Sequence, residues 1–149
     1  MIQKKVLFDY CERYVDERIK LTTQAMNAAQ EAANSETKGS AGDKHETGRA
    51  MMHLEKEQHG RQLAEHLKLR KVLAQMNPQE KHLHARLGSV VFTDTGIYFL
   101  AIPIGKVDIE GKTFFIISPV SPIGKLLMNS QKGSELNLNG RKIIVESVI

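Results

Sequence analysis

The chain has 149 residues, 41% hydrophobic and 26% charged, with a single cysteine, no tryptophan and a net charge of +4. That composition suits a soluble globular protein of one ordinary domain or two small ones, the lone Cys11 excludes an internal disulfide, and neither a run of about 18 apolar residues nor a signal-like N-terminus argues against a cytoplasmic location. The basic excess is well mixed, 15 Lys/Arg against 12 Asp/Glu before residue 87 and 6 against 5 after it, with no basic run interleaved with aromatics, so autonomous DNA binding is not expected.

Residues 4–34 contain no Gly or Pro and are rich in helix formers. Phe8, Cys11, Val15, Ile19, Thr22, Met26, Ala29 and Ala33 recur at alternating steps of three and four, the seam of a coiled coil. The seam tapers from Phe8 to Ala33, which predicts a closer approach of the partner helix at that end. Ser35, Gly39, Ser40 and Gly42 interrupt the pattern. A second helix follows from about Asp43 to Met76, with Met52, His59, Leu63, Leu67, Leu69, Leu73 and Met76 on a less regular apolar face. Asn77-Pro78 stops it, because proline disfavours the α conformation in the preceding residue. Residues 1–76 therefore read as an antiparallel coiled-coil hairpin with its tip at 35–46, each arm roughly 45 Å long at 1.5 Å per residue.

Residues 77–86 read as a polar linker carrying His82 and His84. From Leu87 the period changes to that of short strands. Strands are predicted at 89–93, 97–102, 106–109, 112–118, 134–138 and 141–148. Turns at Asp94-Thr95-Gly96, Glu110-Gly111 and Asn139-Gly140 pair them into hairpins, and a short helix is predicted over Pro122–Met128. The fold class is thus α+β, a helical hairpin followed by a small sheet domain at 87–149. Phe92, Tyr98, Phe99, Phe114 and Phe115 supply its sheet core.

The segment from Ser118-Pro119-Val120-Ser121-Pro122-Ile123-Gly124 to Lys132-Gly133-Ser134 resembles the C-terminal signature of the GreA/GreB transcript-cleavage factors. Gly42-Asp43-Lys44-His45-Glu46 is similar to the G-D-x-x-E motif at the hairpin tip of that family. The resemblance implies an FKBP-like C-terminal domain with an antiparallel sheet. It also implies RNA polymerase as partner, entered by the tip through the secondary channel, with Ser121, Pro122, Ile123 and Gly124 in the docking region. Asp43 and Glu46 would be the catalytic pair, helping the polymerase to hold a Mg²⁺ that hydrolyses backtracked RNA near its 3′ end. The chain itself would not be a free-standing enzyme.

Chemistry supports such a role, since Asp and Glu three apart at a helix start share one face, and Mg²⁺ accepts one or two carboxylates while taking the rest of its shell elsewhere. The same two residues also make a helix N-cap and a capping-box-like partner, a reading compatible with the first. Thr47 stands where the family has Asn, and Ala50 where it usually has Tyr. These departures leave room for a non-catalytic regulator that plugs the channel, in the manner of Rnk-like or DksA-like proteins. The six histidines lack the spacing of a zinc site, and Cys11 reads as a packing residue in the seam.

Overall fold

The computed structural model describes residues 2–36 and 42–149, the side chains of residue 36 and residues 42–45 excepted. It divides into two compact units, one formed by residues 12–71 and the other by residues 1–11 together with 72–149. Two helices run through both, α1 (Lys4–Glu36) and α2 (Gly42–Ala74). Among the described residues no helix is long and apolar enough to cross a membrane.

Within residues 12–71 the helices are antiparallel. Arg70 Nη2 donates to Asp16 Oδ1 at 2.6 Å, and Lys56 Nζ donates to Gln30 Oε1 at 2.6 Å. The step from Asp16 to Gln30 along α1 equals the step back from Arg70 to Lys56 along α2, so the pairing holds one register over that length. Val15, Thr22 and Ala29 of the seam are buried, with Ile19 and Met26 half-buried between them and Ala33 half-buried beyond. On α2, Met52, His59, Leu63 and Leu69 are half-buried, but Leu67 is 40% exposed, against its expected place on the apolar face. Residues two apart on a helix cannot share a face, so a helix that turns Leu69 inward turns Leu67 out.

The second unit is built on one sheet. Its strands are β1 (Val90–Thr93), β2 (Ile97–Leu100), β3 (Gly105–Ile109), β4 (Lys112–Ile117), β5 (Glu135–Leu138) and β6 (Arg141–Val148). A short helix α3 (Pro122–Leu127) lies between β4 and β5. The spatial order is β3-β4-β2-β1-β6-β5. The three expected hairpins form, and β1 also pairs with β6 in antiparallel fashion. One neighbour departs from a purely antiparallel sheet: β2 runs parallel to β4, Tyr98 beside Phe115 and Leu100 beside Ile117. The connection through Ala101–Ile104 carries the chain past the β4 position to the edge, and β4 then returns into the gap.

Turn chemistry explains the hairpin ends. Asn139 and Gly140 sit at φ 52° and 81°, Glu110 and Gly111 at 52° and 77°, both central residues of each turn in the left-handed region that two-residue hairpins require. Phe99 and Phe114 are fully buried, while Tyr98 and Phe115 stack at 5.3 Å between ring centroids. Lys4, Leu7 and Cys11 form one buried stripe at the start of α1, and Leu73 is buried near the end of α2. The segment 77–86 contributes to this unit as well. Ala85 is fully buried and exchanges backbone hydrogen bonds with Ser130 and Asn129.

Candidate functional site

Of the two carboxylates expected at the tip, Asp43 belongs to the first turn of α2, but its side chain lies outside the described residues, as do residues 37–41 of the tip. Glu46 is exposed. It lines a groove of about 470 Å³ between the helices, with Ala29, Ala33, Ala50 and Met52 as apolar lining. The small side chains predicted to let the helices approach leave this space between them. Arg49, His53 and Lys56 line the same groove, and Lys56 reaches Gln30 across it. Arg49 and Lys56 thus put cationic side chains on the wall that carries Glu46. Among the described residues no group of three or more His, Cys, Asp or Glu is placed to hold a metal.

The Ser118–Met128 segment owes most of its pattern to local architecture. Ser121 caps α3: its Oγ accepts from Gly124 N–H at 3.1 Å and donates to the Ser118 carbonyl at 2.6 Å, with Pro122 as the first helical residue. Gly124 is buried, and a Cβ there would stand 2.0 Å from the Ser118 carbonyl oxygen, so no larger residue fits. Ile123 packs against the core cluster of Val91, Leu100, Leu127 and Val145. Of the four expected docking residues only Pro122 is exposed, beside Val120 at 75% and Lys125.

A third constellation was not read from the sequence. Lys4 is only 7% exposed, and its Nζ donates to the Glu80 carbonyl at 2.6 Å. The Glu80 carboxylate pairs with Arg86, and its second oxygen lies 3.9 Å from His82 Nε2. His82 is buried, with Nδ1 2.6 Å from Ser89 Oγ, which also accepts from Arg86 N–H at 2.9 Å. Burial lowers the Lys4 amine to about 8, with Glu80 opposing and Arg86 adding to the shift. Burial also lowers His82, helped by the charges of Lys4 and Arg86 and opposed by Glu80. Cys11, likewise buried, is pushed up to about 12 and is unreactive as a nucleophile.

No family model, curated protein or solved structure matches the chain.

Proposed function

We propose that this chain is a Gre-like transcription factor that enters the secondary channel of RNA polymerase and stimulates cleavage of backtracked RNA. The observation that carries the reading is the antiparallel register of α1 and α2, which makes the Gly42–Glu46 turn the start of the returning helix. A carboxylate pair there suits delivery into a narrow channel. Asp43 and Glu46 would hold a Mg²⁺ jointly with the polymerase, and such an ion supplies activation of the attacking water. The chain's own residues position and exclude: the paired helices stiffen the turn, and the capped α3 fixes Pro122 and Val120 on the surface of an FKBP-like domain for docking.

A second reading is favoured by one feature. Arg49 and Lys56 line the same groove as Glu46, and cations there would oppose a metal ion, which fits a Rnk-like or DksA-like regulator that occupies the channel without cleavage. A transcript-cleavage assay on stalled elongation complexes separates the two. Shortened RNA released on addition of the protein supports the first; polymerase binding with no shortened RNA overturns it in favour of the second.

A further inference from the structure

The polar cluster joining Lys4, Glu80, His82, Arg86 and Ser89 is charged and lies outside the proposed interaction sites; Lys4, His82 and Ser89 are buried in it, whereas Glu80 and Arg86 are exposed. One tautomer of neutral His82, with Nδ1 unprotonated, closes the hydrogen bonds at Ser89. In that tautomer, Ser89 O–H donates to Nδ1 while Ser89 Oγ accepts Arg86 N–H, and both polar groups are satisfied. In an imidazolium, Nδ1–H must itself donate to Ser89 Oγ, so the serine proton loses its acceptor at a fully buried position.

Charge works in the same direction. Glu80 is the carboxylate that faces His82, and it already pairs with Arg86. Lys4 from α1 and Arg86 from the His82 segment both oppose a charge on the ring, and exposed Lys81 and His84 line the shallow pocket beside it. A charged His82 would add a third cation, beside buried Lys4 and exposed Arg86, to the single Glu80 carboxylate. Lys4 is the member that ties the first turn of α1 to the segment, and its release to solvent relieves the excess.

We infer that protonation of His82 loosens the first turns of α1 from the Glu80 segment, so that the cluster works as an acid-sensitive latch. The sign follows from linkage. A histidine whose folded state resists protonation contributes stability that is complete above pH 6.5 and is lost as pH falls through its folded value. The inference does not depend on the transcriptional reading.

Cys11 reports the latch, because it is the chain's single thiol and closes the buried stripe that Lys4 begins. Labelling of the full chain by 4,4′-dithiodipyridine, normalised at each pH to the same protein unfolded in urea, should rise about tenfold from pH 7.5 to 5.5, one decade for each pH unit of coupled proton uptake. Its midpoint should coincide with the His82 ring titration followed by NMR. His82→Gln should label at a normalised rate independent of pH. A flat wild-type profile, a midpoint distant from the His82 titration, or wild-type pH dependence in His82→Gln overturns the inference. The NMR comparison needs only the wild-type chain, so it decides even where the variant does not fold.

Discussion

Arg70 of α2 holds Asp16 of α1 across the helical hairpin at 2.6 Å, although both side chains are more than half exposed. Such a pair fixes register more than it stabilises, since exposed ion pairs are worth about 0.2–1 kcal/mol and weaken with salt. A double-mutant cycle with Asp16→Ala and Arg70→Ala should return a coupling in that range in urea denaturation. Raising salt to about 1 M should remove it. A coupling well above that range would mean that water is excluded from the pair.

Gly60 stands inside α2, and a Cβ built there meets nothing within 4 Å. Gly60→Ala should therefore raise stability by about 0.5–1 kcal/mol, the ordinary cost of glycine within a helix. The denaturation midpoint reads this directly.

Gly124 is the opposite case. Gly124→Ala forces a Cβ into the Ser118 carbonyl and should cost about 3 kcal/mol or more. Ser121→Ala removes the cap and the bond to the Ser118 carbonyl, about 1–2 kcal/mol. Thermal melts that rank the two in reverse would refute this account of the Ser-Pro-Ile-Gly pattern.

At the tip, Asp43→Asn and Glu46→Gln remove charge at nearly constant size. Under the cleavage reading each should abolish stimulated RNA cleavage while polymerase affinity stays within about twofold, and stability should change by no more than about 1 kcal/mol. Normal cleavage by both variants would remove the carboxylates from the mechanism. Arg49→Ala should, on the same electrostatic argument, strengthen Mg²⁺ dependence at the tip.

Alkaline pH sets two buried groups against each other. Lys4 leaves its proton near 8 when folded but 10.5 unfolded, so its contribution to stability grows as pH rises through that window. Cys11 keeps its proton to about 12 when folded but only to 9.0 unfolded, so its contribution falls as pH rises from 9. Lys4→Met should leave the Cys11 effect uncompensated, and stability should then drop more steeply between pH 9 and 10.5 than in the wild type. Urea midpoints at pH 7.5, 9 and 10.5 measure it.

These groups also mark what the sequence revealed and what it hid. The hairpins were legible because Asn139-Gly140 and Glu110-Gly111 specify their turns locally. The α1 seam was legible because its spacing repeats. The parallel neighbourhood of β2 and β4 was not, since no local signal says which hairpins lie side by side. His82 read as part of a polar linker and Lys4 gave no signal of its own, because burial of a charged residue depends on partners distant in sequence. The Gly-Asp-x-x-Glu turn was conspicuous as a motif, and Arg49, His53 and Lys56 recur at helical spacing on the same α2 face as Glu46, but the groove they line takes shape only with α1 opposite.

The strand order has a temporal consequence. β1 lies inside the sheet, yet the partner on one of its sides is β6, with Val91 opposite Val148. At about 5–20 residues per second of synthesis, β1 waits roughly 3–11 s for that partner to emerge. During that interval Val90 and Val91 offer an open apolar edge, while all of α1 and α2 has already left the ribosome. A nascent chain would thus carry a complete helical arm before it has a finished sheet, and early protection by a chaperone would be needed at β1 rather than at the helices.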